Sequence, residues 1–242
     1  MLLLWGFQLS QSKKKLICKS MFIIPCRFDP ERPIIFECVD RIKKYHPGEK
    51  IVVVDSASPD KSYFDKLDGV EVLDVDNKNY GVNAFKEAWL KYRLEEDFYY
   101  CIYDSLLLNQ SLASFRKNNL TTFRYFKTPP TGVGWDENGN DLSIWINAQL
   151  SEHFGISMPA SFTGVMGPMW MCEEDVMWNI FASGLINIKP TNKWELCAME
   201  RIVGIVMELC GYDPTNSIQG EMFGFFDQYD ETYVTKVNMA RS

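Results

Sequence analysis

Apolar residues along this chain form two alternating patterns. Continuous apolar runs predict buried strands, which cover residues 21–26, 50–56, 70–75, 97–105 and 120–126. Between them, apolar residues at helical spacing predict helices; Ile35, Cys38, Val39 and Ile42, for example, share one face. The predicted helices cover residues 34–46, 62–67, 81–96, 106–118, 142–154, 172–184 and 192–211.

Strands that alternate with helices are typical of βαβ units. Because the strand runs are continuously apolar, we expect burial on both faces, as in a parallel sheet. The pattern therefore predicts an α/β fold with a mainly parallel central sheet flanked by helices. Residues 21–242 contain no clear linker, so they are predicted to form one domain.

Residues 1–20 precede this pattern. Their apolar run is shorter than the roughly 20 residues that span a bilayer, so no membrane span is predicted. Three lysines at positions 13–15 follow the apolar run, whereas a signal peptide places positive charge first. We interpret residues 1–20 as an extension that is disordered or arises from an upstream start codon, and that folding does not need.

Composition and charge exclude several classes of protein and of binding partner. A hydrophobic content of 46% predicts a sizeable core rather than disorder. A net charge of −7 argues against a nucleic-acid partner, because such proteins usually carry a basic face. The seven cysteines form no CxxC pair and are interpreted as reduced thiols of a cytoplasmic protein. With only His46 and His153, neither a His-rich metal site nor a Ser-His-Asp triad is favoured.

Polar residues end three of the predicted strands. Arg27 follows the first, Asp55 and Ser56 end the second, and Asp104 and Ser105 end the fourth. Parallel strands end at the same edge of a sheet, where α/β proteins bind their ligands. The sequence therefore predicts a ligand site at this edge.

Four segments together resemble the family 2 glycosyltransferases, which have the GT-A fold. "VVVDSASPDKS" resembles the family's "vvDDgStDgt" segment, with Asp55, Ser58 and Asp60 matching, Ser56 in place of the second aspartate and Ala57 in place of glycine. The other three are "NYGVNAFKEAW", "YYCIYDSLLL" in the place of the D-x-D motif, and "AMERIVGIVMELCGYD" in the place of the "E-D" segment. The order and rough spacing of all four fit.

The resemblance implies an enzyme that transfers a sugar from a nucleotide-diphospho-sugar donor to a hydroxyl of a glycan or other acceptor, with inversion. Asp55 would bind the base between Pro25 and Arg27, while other groups bind ribose and diphosphate. The predicted donor-binding residues are Pro25, Arg27, Asp55, Ser58, Asp60, Lys86, Asp104 and Ser105.

The D-x-D position bears on the cofactor. The resemblance implies Mg²⁺ or Mn²⁺, held by Asp104 and neutralising the diphosphate. Leu106 stands where the second carboxylate is expected, which is the main departure from the family. The alternative is charge neutralisation by Lys86 or by a C-terminal cation, Lys236 or Arg241, although the last two are interpreted first as a mobile tail.

The candidate general base is Glu200, at the margin of an apolar helical stripe, where partial desolvation raises a carboxyl pKa. The family's catalytic aspartate falls at Arg201, so the base could lie elsewhere. The alternatives are Glu173, Glu174, Asp175 and Asp213.

Acceptor binding is predicted at Trp135, in the polar loop 127–141, and at Gly164 in the segment "FTGVMGPMWM". Two other functions remain open: a non-catalytic module that keeps the fold, and a sugar-phosphate nucleotidyltransferase. The second is less favoured, because "PCRFDPERP" lacks the glycine-rich loop that would hold a triphosphate.

Overall fold

The structure is a computed structural model that describes residues 19–75, 81–127, 138–139, 141–222 and 231–237. Its strands are β1 (Ser20–Cys26), β2 (Lys50–Ser56), β3 (Glu71–Val75), β4 (Phe98–Cys101), β5 (Leu106–Leu108), β6 (Leu120–Thr122), β7 (Tyr125–Lys127), β8 (Thr163–Val165), β9 (Trp170–Glu173) and β10 (Val234–Lys236). Its α-helices are α1 (Ile34–Tyr45), α2 (Val82–Tyr92), α3 (Leu142–Phe154), α4 (Glu174–Ala182) and α5 (Lys193–Leu209). Short 3-10 helices lie at Phe64–Lys66, Ala113–Lys117 and Leu185–Asn187.

The predicted fold class is confirmed. The central sheet has the order β3-β2-β1-β4-β9-β6, and its first four strands are parallel. Strand β9 runs antiparallel to both neighbours. Helix α1 packs on one face of the sheet, whereas helices α2 to α5 cover the other. Burial on both faces is the reason for the continuous apolar strands.

The helices form where the apolar spacing predicts them. In α1 the four residues of the predicted face, Ile35, Cys38, Val39 and Ile42, are all buried. Helix α5 is capped by Asn192, whose side chain accepts hydrogen bonds from the backbone of the first turn, and the Glu195 carboxylate accepts the backbone N–H of Thr191. None of the helices in the described ranges is long and apolar enough to cross a bilayer.

Local patterns misassigned two segments. The helix predicted at 106–118 is instead strand β5 followed by the 3-10 helix Ala113–Lys117. The strand predicted at 120–126 is divided into β6 and β7, which belong to different sheets. Strand β5 pairs with β10, more than a hundred residues later, and such a partner is invisible to a local pattern.

Strand β1 begins at Ser20, one residue before the first predicted strand. Ser20 is the first residue of β1, and its hydroxyl bonds to Glu49 and Arg116. The carbonyl of Lys19 accepts hydrogen bonds from the backbone of Asp97 and Phe98. Ser20 therefore belongs to the sheet and Lys19 is hydrogen-bonded beside it, while residues 1–18 lie outside the described residues.

His46 is a buried structural residue whose protonation should destabilise the fold. Its Nε2 accepts the backbone N–H of Leu112 at 2.9 Å, and burial, aided by Arg116, lowers its pKa to about 4. Between pH 4 and 6.5 the unfolded chain then binds the proton more tightly, so stability falls as the pH falls.

Urea unfolding should show about 2 kcal/mol of this loss between pH 7 and pH 5. The matched variant is His46→Gln, since a glutamine oxygen can accept the same N–H and does not titrate. An unchanged pH dependence in this variant would contradict the assignment.

Candidate functional site

The crevice between β1 and β4 lies where the strand order reverses. Successive strands β2 and β3 extend the sheet on one side of β1, and β4 is added on the other. The backbone N–H of Ile102 donates to the carbonyl of Ile23 at 3.2 Å. Pro25, two residues later, faces the same side but has no N–H, so pairing stops there. Ligands of α/β proteins bind in such a crevice at the carboxyl ends of the strands.

The loop after β2 is organised by Asp55. This carboxylate is fully buried; its Oδ2 accepts the backbone N–H of Ser58 at 3.0 Å and its Oδ1 accepts the hydroxyl of Tyr63 at 2.8 Å. Burial raises the pKa of Tyr63, so the phenol remains a donor. Ser58 Oγ in turn accepts the backbone N–H of Phe28 at 2.8 Å. Asp55 and Ser58 therefore join the loops that follow β1 and β2.

Ala57 supplies a geometric counterpart to the sequence resemblance. It has φ of +55°, and it is the non-glycine residue with positive φ among the described residues. The family segment has glycine at this place, and glycine is the residue that adopts positive φ without strain. Ala57 therefore has a backbone conformation that a glycine at this position would adopt with less strain.

Two predicted donor-binding residues lie at the exposed rim of this edge. Arg27 follows β1 directly and is exposed. Asp60 accepts the backbone N–H of Ser62 at 2.8 Å, and this bond lowers the pKa of its carboxyl. Asp60 therefore stabilises the turn after β2, while Arg27 is an exposed residue at the carboxyl end of β1.

Asp104 and Ser105 form the tight turn between β4 and β5. Both are buried, with 2% and 4% of their surface exposed. The Asp104 charge adds to burial in raising the pKa of the Cys26 and Cys38 thiols, which places its carboxylate near both. The hydroxyl of Ser105 accepts a hydrogen bond from Nζ of Lys236.

Tyr103 lies between Gly81, before α2, and Gly167, which bonds to Glu200. The sequence did not predict this position. A Cβ at Gly81 would lie 2.4 Å from the Tyr103 hydroxyl, so the phenol occupies the space that this glycine leaves. A Cβ at Gly167 would lie 3.7 Å from the same ring. The sequence pattern around a single tyrosine between two apolar strands does not predict which residues its side chain will contact.

Glu200 reaches the site from α5. Its Oε1 accepts the backbone N–H of Gly167 at 3.0 Å and its Oε2 accepts from Arg201 at 2.9 Å. Burial raises the pKa of Glu200, and Arg201 acts in the opposite direction. The side chain remains 15% exposed. A partly desolvated carboxylate that still contacts solvent has the properties of a general base.

The other proposed bases lie elsewhere. Glu173 pairs with Phe98, the first residue of β4, so the run Glu173 to Asp175 lies at the opposite edge of the sheet from Asp104. Asp213 is exposed and accepts hydrogen bonds from Thr215 within its own turn. Glu200 is therefore the candidate that the structure brings to the crevice.

Two other predicted residues, Lys86 and Gly164, are buried. Lys86 is 7% exposed, and its Nζ lies 3.4 Å from Glu87. Gly164 is buried, and a Cβ there would lie 2.2 Å from Phe126, so packing explains this glycine. Trp135 and Arg241 lie outside the described residues.

The described residues do not assemble a divalent metal site around Asp104. Leu106, in the second D-x-D position, is 1% exposed within β5. Among the residues that the structure describes, no group of three or more His, Cys, Asp or Glu side chains is placed to hold an ion. The ammonium of Lys236 lies at the neighbouring Ser105, where it would repel a dication.

No protein-family model and no curated protein sequence matches the chain. Among solved structures, similarity is found to S. aureus TarS, with 13% identity over 89% of this chain and 36% of that one and a TM-score of 0.45. GalNAc-T7 with UDP, GalNAc and Mn²⁺ is similar with 15% identity, over 67% of this chain and 36% of that one, with a TM-score of 0.43. For S. aureus TarS 1–349 in complex with UDP the identity is 14%, the coverage 89% and 59%, and the TM-score 0.43. The chain thus spans 36 to 59% of the length of these structures.

Proposed function

We propose that this protein is a glycosyltransferase that moves a sugar from a nucleotide-diphospho-sugar to an acceptor hydroxyl. The observation that carries the proposal is the position of Glu200. The partly desolvated Glu200 carboxylate on α5 accepts the backbone N–H of Gly167, and Gly167 lies beside the Tyr103 ring. Tyr103 directly precedes the turn of Asp104 and Ser105 at the β1–β4 crevice. The second, third and fourth of the sequence motifs meet there, because Tyr103 fills the space at Gly81 and lies beside Gly167, which bonds to Glu200.

The donor is placed along the carboxyl edge of the sheet. The loop held by Asp55 and Ser58 offers backbone and hydroxyl groups on the β2 side, where a base and ribose can bind. Because Asp55 is fully buried and both its oxygens are used within the loop, Asp55 supports this surface rather than presenting its carboxylate to the base. Arg27 lies on the β1 side and provides positive charge for the diphosphate.

The chemical step is a direct displacement, with inversion at the sugar carbon. Glu200 accepts the proton of the acceptor hydroxyl as the new bond forms between the acceptor oxygen and sugar C1. The bond between C1 and the phosphate oxygen breaks at the same time, and the nucleoside diphosphate leaves with the electron pair. Deprotonated Glu200 is required, so the rate should fall as the pH is lowered toward its raised pKa.

Nucleotide binding and hydrolysis together test the proposal. UDP, GDP, ADP and CDP should be compared for thermal stabilisation, and at least one should raise the melting temperature. The corresponding nucleotide sugars should then be hydrolysed slowly, with water in the place of the acceptor. Binding without hydrolysis of any donor would favour a non-catalytic module, and the absence of both would contradict the proposal.

A further inference from the structure

A lysine from the C-terminal part of the chain is fixed beside the turn after β4. Strand β10 pairs antiparallel with β5, in a register that places Lys236 opposite Leu106. Val234 is fully buried and anchors the strand. At its end, the backbone N–H of Val237 donates to the carbonyl of Ser105 at 2.9 Å. The backbone that carries Lys236 is therefore held at the site rather than in a mobile tail, contrary to our first interpretation.

The ammonium of Lys236 is aimed at the crevice. Its Nζ donates to Ser105 Oγ and lies 5.4 Å from the centroid of the Tyr103 ring. Burial raises the pKa of Glu200, and the charge of Lys236 is one of the influences that lower it. Lys236 is thus within electrostatic reach of the candidate base and in contact with the residue next to Asp104.

We propose, building on the glycosyltransferase function above, that Lys236 binds and neutralises the donor diphosphate in the place of a divalent metal ion. The described residues around Asp104 lack the second D-x-D carboxylate, whereas a cation already stands at that turn. A phosphate oxygen is a stronger acceptor for an ammonium than the neutral hydroxyl of Ser105. Lys236 is exposed, so a ligand reaches it without rearrangement of the core.

Lys236 stabilises the departing diphosphate and transfers no proton. When the bond between sugar C1 and the phosphate oxygen breaks, negative charge develops on the departing diphosphate. An N–H of Lys236 donates to an oxygen of that group and stabilises the charge, while the ammonium keeps its proton. The acceptor proton goes to Glu200, so no other co-reactant is needed.

The test measures binding of inorganic pyrophosphate and of the nucleoside diphosphates by calorimetry, with EDTA and with Mn²⁺. Lys236→Met removes the charge at similar length and should weaken binding about 10- to 100-fold in both conditions, the effect of one charged hydrogen bond. Lys236→Arg keeps the charge and should stay within about 3-fold of the wild type. Lys43→Met is the control of equal charge change, on α1 and bonded to the Asp68 carbonyl.

The outcomes separate this inference from the function on which it rests. Wild-type binding that requires Mn²⁺, or normal binding by Lys236→Met, overturns the inference and leaves the glycosyltransferase function standing. Pyrophosphate binding that depends on Lys236, without binding of any nucleotide, retains the cation site and contradicts the donor class. A wild-type protein that binds neither pyrophosphate nor nucleotide contradicts both.

Discussion

Replacing Glu200 with glutamine should lower the rate of nucleotide-sugar hydrolysis by roughly 10²- to 10⁴-fold, the usual contribution of a positioned base. Glutamine keeps an oxygen for the backbone N–H of Gly167, so the fold should lose only about 1 kcal/mol through the altered contact with Arg201. Nucleotide affinity should be nearly unchanged. The acidic limb of the pH–rate profile, which reports the raised pKa of Glu200, should disappear.

Glu208→Gln is the matched control for this variant. Glu208 lies two turns further along α5, about 12 Å away, and its Oε1 accepts the backbone N–H of Thr163 at 3.2 Å. The two glutamates thus hold the same segment by the same kind of bond, and only Glu200 lies at the crevice. Similar hydrolysis rates in the two folded variants would remove the catalytic role and leave a structural one.

Replacing Gly204 with alanine should destabilise the protein by roughly 3 kcal/mol or more. Gly204 lies in the middle of α5, and a Cβ there would be 1.8 Å from the backbone oxygen of Thr163 in β8. Backbone atoms of a packed strand cannot move aside as a side-chain end can, so helix and strand must separate. Urea denaturation with a fluorescence readout measures the loss.

Gly211→Ala is the control for the same chemical change. Gly211 follows α5, has φ of +82°, and has no atom within 4 Å of an added Cβ. The substitution should cost about 1 kcal/mol, from the left-handed backbone alone. If Gly204→Ala costs no more than Gly211→Ala, the close contact of α5 with β8 is not needed for stability.

The sequence by itself determined the α/β class and most of the helices. Continuous apolar strands alternate with helical spacing over residues 21–96, and the elements follow there in the order β1-α1-β2-β3-α2 with one short 3-10 helix. The placement of Arg27, Asp55 and Asp104 at one edge was also predicted, because parallel strands end together, although β4 itself ends at Cys101 and Asp104 lies in the turn that follows. Glu200 was predicted as the candidate base from its place at the margin of the apolar stripe of α5.

Only the tertiary structure decided which residues from distant parts of the chain join Asp104 at the carboxyl edge of the sheet. Tyr103 and Gly167 join Glu200 to the turn of Asp104, and Lys236 arrives there through pairing of β10 with β5. These contacts connect residues far apart in the chain, and a three-residue strand such as β10 has no recognisable period. The tertiary structure also showed that both Asp55 oxygens accept hydrogen bonds within their own loop. Hydrogen-bond partners depend on which groups the fold brings within reach.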